Sequence, residues 1–129
     1  MTSTLRLANR SAAETLLSVQ LEQAGIPFER EVRFAPPRRW RADFYIGTLI
    51  GDFPGGYSTA RILIEVEGGS FTGGHKRGKA YESDCDKQNA AMDLGFKVYR
   101  FTPAMVEDGR ALATIRAALG LATGKEGVA

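Results

Sequence analysis

The sequence predicts an α/β fold in which helices flank a mixed central sheet. Segments of helical and strand periodicity alternate along the chain in the order α-β-β-β-α-β-α. The length of 129 residues suits one compact domain, and neither an internal repeat nor a linker-like stretch divides the chain. We therefore expect a single domain over residues 1–129, with its core at about 10–119 and a polar C-terminal tail.

The first helix is predicted over about residues 10–24, where apolar side chains recur at helical spacing. Gly25 and Pro27 end it, because glycine favours helix termination and proline cannot continue a helix. Its buried side is expected to consist of Ala13, Leu16, Leu17, Gln20, Leu21 and Ala24.

Three strands are predicted next. Residues 28–34 alternate between apolar and charged side chains, which is typical of a strand near a sheet edge, and two prolines separate them from a second strand at 41–46. A loop rich in glycine, proline and polar residues is expected from 47 to about 58. The most strand-like run of the chain, residues 61–67, follows it.

The C-terminal half is predicted to add two helices and one strand. A long glycine-rich loop at 68–78 leads to a helix over 80–94, which Gly95 ends. Residues 97–101 are predicted to form the fourth strand, and a final helix is expected from 103 to about 119.

Composition excludes several classes of protein. Hydrophobic residues make up 43% of the chain and charged residues 25%, which argues against wholesale disorder or a fibrous repeat. No apolar run approaches the roughly 18 residues of a membrane span. The N-terminus lacks a secretory h-region. Cys85 is the single cysteine, and no Cys/His cluster suits zinc. We therefore expect a cytoplasmic protein without membrane contact.

Basic side chains are concentrated in two segments, although the net charge is only +2. Such clusters form phosphate-binding surfaces, because each contact with a phosphate releases condensed counterions. Two solvated loops are the alternative interpretation. The segments contain Arg30, Arg33, Arg38, Arg39 and Arg41, and His75, Lys76, Arg77 and Lys79.

Two carboxylates, Glu65 and Glu67, lie in a strand that is predicted to be buried away from water. In the run 62–67, side chains alternate between the two faces of the sheet, so Leu63, Glu65 and Glu67 share one face. A central strand of an α/β sheet is usually apolar on both faces. Like charges at this spacing repel one another, and burial increases the cost unless a cation lies between them.

Asp43 shows the same feature in the preceding strand. If the two strands are neighbours, Asp43, Glu65 and Glu67 converge on one face, and three carboxylates suit Mg²⁺ or Mn²⁺ better than zinc. The alternative is an edge strand whose acids face solvent and pair with Arg41 or Arg61.

The order of these motifs resembles the PD-(D/E)XK nuclease superfamily, in particular small endonuclease-like proteins of phages and prophages near the Vsr and DUF559 groups. The resemblance implies a restriction-endonuclease-like fold. The resemblance covers about residues 10–102. It is carried by a first helix with Glu14, by Asp43 in RADF, by ILIEVEGG, and by GGHKRGKAYESDCDKQNAAMDLGFKVYRFT.

The resemblance implies a Mg²⁺-dependent (or Mn²⁺-dependent) hydrolysis of DNA phosphodiesters. Asp43 and Glu65 would hold the metal, and Glu67 would complete its shell or bind a second ion. The superfamily signature has a lysine where this chain has Glu67, and some members supply that lysine from the following helix. Lys87 fits this role by position, because Asp84, Lys87 and Ala91 share one helix face; Gln88 is the adjacent alternative.

Two further residues are accessory candidates under the same resemblance. Glu14 would reach the metal through a water molecule, whereas the alternative is a solvated helix glutamate. His75 would contact a phosphate or assist proton transfer, whereas the alternative is a loop histidine in solvent. DNA would contact the basic segments, namely Arg33, Arg38, Arg39, Arg41, Lys76, Arg77 and Lys79.

Two classes of function stay open at this point. One is a metal-dependent endonuclease, with branched or nicked DNA among its candidate substrates and a homodimer among its candidate assemblies. The other is a catalytically inactive nucleic-acid-binding protein on the same fold, for which the missing strand lysine is the main argument. A metal hydrolase acting on other substrates is disfavoured by the two basic segments.

Overall fold

A four-stranded mixed sheet forms the centre of the fold. The computed structural model describes residues 2–51, 54–67 and 78–121. The strands lie in the order β1-β2-β3-β4, with β1–β2 and β2–β3 antiparallel and β3–β4 parallel. They are β1 (Glu29–Arg33), β2 (Arg41–Ile50), β3 (Tyr57–Val66) and β4 (Lys97–Phe101).

Helices cover both faces of this sheet, and the predicted fold class and element order are confirmed. The helices are α1 (Thr2–Gln23), α2 (Gly78–Asp93), α3 (Pro103–Glu107) and α4 (Arg110–Ala118), and a short 3-10 helix covers Pro54–Gly56. Within the described ranges, none of them is long and apolar enough to cross a membrane.

The two faces of the sheet carry separate apolar clusters. Burial of these side chains is the main favourable contribution to folding. The larger cluster joins the sheet to α1, α3 and α4, and includes Leu17, Leu21, Phe44, Ile46, Ile62, Ile64, Val66, Phe101, Val106 and Ile115. The smaller one lies beneath α2 and contains Phe34, Ala42, Leu63 and Ala91.

The predicted side assignment of the third strand is therefore confirmed. Ile62, Ile64 and Val66 pack into the larger cluster and Leu63 into the smaller one. The predicted buried side of the first helix needs one correction, because Leu16 is 36% exposed. The helix also begins earlier than predicted, at Thr2.

The predicted loop at 47–58 is wrong at both of its ends, which belong to strands. β2 continues to Ile50 and pairs there with Tyr57 at the start of β3. The register shifts at Gly47, between the pairs made by Ile46 and Thr48. A Cβ at Gly47 would lie 2.8 Å from the Tyr45 ring, so glycine allows this ring to pack against the backbone.

The predicted final helix is divided. Gly109 has a φ of +90°, a left-handed conformation that glycine adopts without steric cost, and it separates α3 from α4. The Thr102 hydroxyl oxygen caps α3 by accepting a hydrogen bond from the Met105 N–H at 3.2 Å.

Arg61 joins β3 to the C-terminal end of α2. Its Nη2 donates to the carbonyl of Leu94 at 2.7 Å and its Nε to that of Gly95 at 3.4 Å. The guanidinium also lies 4.3 Å from the centroid of the Phe96 ring. A cation here satisfies unpaired carbonyls and complements the helix dipole.

We expect Arg61→Met to lower the free energy of unfolding by about 1 kcal/mol, because it removes these hydrogen bonds and the contact with Phe96. The melting temperature should fall by roughly 5 °C. Thermal and urea unfolding measure the change, with Arg33→Met on exposed β1 as the control. Equal stability of the two variants would contradict a capping role.

Candidate active site

The pairing of β2 with β3 stops next to Asp43. The last paired residues at this end are Phe44 and Ile64. Beyond them, Asp43 Oδ2 accepts a hydrogen bond from the backbone N–H of Val66 at 2.8 Å. Asp43 is 7% exposed, so its carboxylate supplies an acceptor that this buried N–H needs.

The alternation of side chains along β2 is interrupted at Asp43. Its neighbours Ala42 and Phe44 pack into different apolar clusters, although regular alternation would place both on one face. On β1, Arg30 pairs with Phe44 and Val32 pairs with Ala42. Glu31 lies between them, and its φ is +56°. This left-handed conformation is uncommon for a residue with a side chain.

These irregularities bring Asp43 together with Glu14 and Glu31. One ligand oxygen from each lies within 4.8 Å of the others. Among the described residues, these three carboxylates form the group of potential metal ligands that lie this close to one another. The structure thus brings the accessory candidate Glu14 next to Asp43, whereas Glu65 and Glu67 do not form such a group with it.

Three carboxylates at this spacing fit a hard divalent cation. Mg²⁺ and Mn²⁺ prefer oxygen ligands, and a site with histidine or cysteine would favour other metals. Sequence reasoning missed Glu31, although its position opposite Asp43 follows once β1 and β2 are paired.

Two arginines pair with Glu14 and Asp43 of this group. Arg10 donates from Nε to Glu14 Oε2 at 3.0 Å and from Nη2 to Asp43 Oδ1 at 3.1 Å. Arg30 donates from Nη2 to Glu14 Oε1 at 2.6 Å. Burial raises the pKa of Glu14, as does the neighbouring Asp43 charge, and the two arginines act in the opposite direction.

Glu65 makes an ion pair with Lys87. The Lys87 Nζ lies 2.5 Å from Glu65 Oε2, and the two side chains are only 21% and 24% exposed. The helix face predicted from Asp84, Lys87 and Ala91 lies against the strand, since all three line one pocket with Glu65. Lys87 is therefore directed towards the strand acids.

Glu67 and Gln88 share a different partner. Arg100 Nε lies 2.5 Å from Glu67 Oε2, and Arg100 Nη1 donates to Gln88 Oε1 at 3.2 Å. The hydrogen bond with Glu67 raises the pKa of Arg100, while burial acts against this. The arginines expected as alternative partners of Glu65 and Glu67 have other contacts. Arg41 pairs with Glu31 at 3.7 Å, and Arg61 caps α2.

The pocket beside Glu65 combines an apolar floor with a charged rim. The floor is formed by Phe34, Leu63, Ala91 and Val98, and the rim by Glu65, Asp84, Lys87, Gln88 and Arg100.

The predicted DNA-contacting residues fall into two sets. Arg33, Arg38 and Arg39 are exposed around the turn between β1 and β2, and Lys79 is exposed at the start of α2. Arg41 is exposed at the start of β2, where it pairs with Glu31. Arg38 lies 4.4 Å from the centroid of Trp40, which stacks on Phe34 with centroids 6.4 Å apart. Three other candidates, His75, Lys76 and Arg77, lie outside the described residues.

Glu65 gives the stability of the protein a specific pH dependence. Burial raises its pKa above the ordinary 4.5; Lys87 lowers it, and Asp43 and Glu67 raise it further. Between the ordinary and the raised value, the folded protein retains a proton that the unfolded chain releases. The contribution of Glu65 therefore becomes less favourable as the pH rises through this window.

We expect Glu65→Gln to gain stability relative to wild type as the pH rises from below 4.5, until the difference becomes constant above the raised pKa. Urea unfolding in EDTA at several pH values measures this difference, with Glu29→Gln on β1 as the control. A difference that is flat or decreases with pH would contradict the raised pKa.

Comparisons with known proteins identify the fold. No family model and no curated protein matches the chain. A solved structure that is similar is the catalytic domain of the homing endonuclease I-Bth0305I, at 17% sequence identity and a TM-score of 0.58. The match covers 82% of this chain and 91% of that domain. The chain therefore has the fold of a nuclease catalytic domain.

Proposed function

We propose that this protein is a metal-dependent endonuclease that hydrolyses phosphodiester bonds in DNA. The observation that carries the proposal is the group formed by Asp43, Glu14 and Glu31, next to the Glu65–Lys87 pair. The similarity to a homing endonuclease catalytic domain supports the same conclusion at the level of the fold.

In the proposed site, Asp43 is the central metal ligand. It lies with Glu14 and Glu31 on one side, and its charge acts on the pKa of Glu65 on the other. A bound Mg²⁺ or Mn²⁺ would lower the pKa of a water ligand and polarise the scissile phosphate. Glu65 would complete the carboxylate set, while Glu67 would fix Arg100 near the pocket.

Lys87 is proposed to supply the positive charge that the third strand lacks. Its ion pair with Glu65 holds the ammonium at the strand acids. A fixed ammonium at this place would stabilise the negative charge that develops on the phosphate during hydrolysis. Helix α2 places Gln88 beside it, with the side-chain amide held by Arg100.

Cleavage of supercoiled plasmid tests the function directly. We expect nicked or linear product with Mg²⁺ or Mn²⁺ and no product in EDTA. Linear single strands and branched duplexes in the same assay would identify the substrate. Absence of cleavage on all of these, with DNA binding retained, would contradict the proposal.

That outcome would favour an inactive nucleic-acid-binding protein. One observation supports this second function: Glu14, Glu31, Asp43, Glu65 and Glu67 all have arginine or lysine partners. Such a network can persist as a structural feature without a metal.

We expect the double change of Arg38 and Arg39 to alanine to weaken DNA binding and to reduce its salt dependence. For every phosphate that the protein no longer neutralises, the slope of log K against log salt should fall by about one. Binding titrations at several salt concentrations in Ca²⁺ measure the slope. Arg110→Ala is the control, because Arg110, at the start of α4, pairs with Asp108. An unchanged slope would remove these arginines from the interface.

A further inference from the structure

Arg10 and Arg30 both pair with Glu14, but they are held in different ways. Arg30 contacts both α1 and β2: Nη1 donates to Ser18 Oγ at 3.2 Å and Nε to the Asp43 carbonyl at 3.1 Å. Its guanidinium also lies 4.4 Å from the centroid of the Phe44 ring. With Glu14 Oε1 on Nη2, Arg30 is a fixed clamp between the helix and the sheet.

Arg10 is held only by the two carboxylates among its described hydrogen bonds. It contacts Glu14 Oε2 and Asp43 Oδ1, and its side chain is 41% exposed. The two carboxylates are only 13% and 9% exposed, but no hydrogen bond of Arg10 to the backbone is described that would keep its guanidinium in place when another cation binds these oxygens.

The oxygens that Arg10 contacts are those that a metal ion would use. Asp43 Oδ2 accepts from the Val66 N–H, and Glu14 Oε1 accepts from Arg30. The remaining oxygens, Asp43 Oδ1 and Glu14 Oε2, both face Arg10. A divalent cation that joins these two residues and the Arg10 guanidinium therefore compete for the same pair of atoms.

We propose that Arg10 is a built-in competitor of the divalent cation and that it sets the metal affinity of the site. The inference rests on the proposed function, since it takes Asp43 and Glu14 to be metal ligands. Metal binding displaces the Arg10 guanidinium from both carboxylates, whereas Arg30 keeps its contacts and holds Glu14 in place. Removal of the two arginines should therefore have opposite effects on metal affinity.

Calorimetric titration of the full chain with Mn²⁺ alone tests this. We expect Arg10→Ala to tighten Mn²⁺ binding by about tenfold, which corresponds to two part-exposed ion pairs. Arg30→Ala should weaken it severalfold, because Glu14 loses its clamp. Arg110→Ala removes the same charge away from the acidic group and should leave the affinity within about twofold of wild type.

The pattern of the variants separates competition from simple charge repulsion. Repulsion alone would make both Arg10→Ala and Arg30→Ala bind more tightly. Arg10→Gln serves as a second variant, and thermal unfolding verifies that each protein is folded. Equal or weaker Mn²⁺ binding by both Arg10 variants, or tightening by Arg30→Ala to the same extent, overturns the inference while the metal centre stands. No Mn²⁺ binding by wild type or variants overturns both.

Discussion

Asp43→Asn is expected to lower metal-dependent DNA cleavage by at least about a thousandfold while the protein stays folded. The amide has nearly the same shape as the carboxylate, and its oxygen can still accept from the Val66 N–H. It lacks the negative charge that holds a hard cation. Single-turnover cleavage at several Mg²⁺ concentrations measures the loss.

The control for this variant is Glu29→Gln, the same kind of change on exposed β1. It should cleave at the wild-type rate. Asp43→Ala should be inactive and, in addition, less stable by about 1–3 kcal/mol, because the Val66 N–H loses its acceptor. Cleavage by Asp43→Asn within tenfold of wild type at limiting Mg²⁺ would exclude Asp43 from the metal site.

Lys87→Ala is expected to lower the cleavage rate by on the order of a hundredfold, with little change in DNA affinity. The reason is that Lys87 is held at Glu65 by a 2.5 Å ion pair, whereas phosphate affinity is distributed over the basic segments. Single-turnover rates and binding titrations in Ca²⁺ separate the two effects.

Loss of Lys87 also leaves Glu65 half-buried without its cation, so stability must be separated from catalysis. The double change Lys87→Met with Glu65→Gln removes both charges together and should recover stability without recovering activity. Lys97→Ala, at the exposed start of β4, is the matched control. A Lys87→Ala variant that loses only DNA binding would contradict the catalytic role, and Gln88 would be tested next.

Much of the fold follows from periodicity in the sequence. The run at β3 alternates so regularly that both of its faces can be assigned from the pattern alone. The β2–β3 hairpin is longer than the sequence predicts, because its glycine-rich composition resembles a loop. Backbone pairing with β3 extends β2 to Ile50. The break of the last helix lies at Asp108-Gly109, a turn signal in the sequence that a prediction from the spacing of apolar residues alone overlooks.

The grouping of the acids around Asp43 differs from the grouping that strand alternation in the sequence suggests. Regular alternation on β2 would place Asp43 with Glu65 and Glu67; the interruption at Asp43 instead groups it with Glu14 and Glu31. The arginine partners could not be foreseen, since Arg10 contacts an acid 33 residues away and this contact requires α1 to be packed on the sheet.

The hydrogen bond between Asp43 and the Val66 N–H has an evolutionary consequence. Under the proposed function, position 43 is constrained by folding as well as by chemistry, because any side chain without an acceptor leaves a buried amide unsatisfied. A related chain without a metal site would still keep Asp or Asn here, whereas Glu31, half-exposed and in a left-handed conformation, would be free to become glycine or asparagine. In related sequences, joint retention of acids at both positions would therefore mark the proposed metal site, whereas an acid at position 43 alone would not.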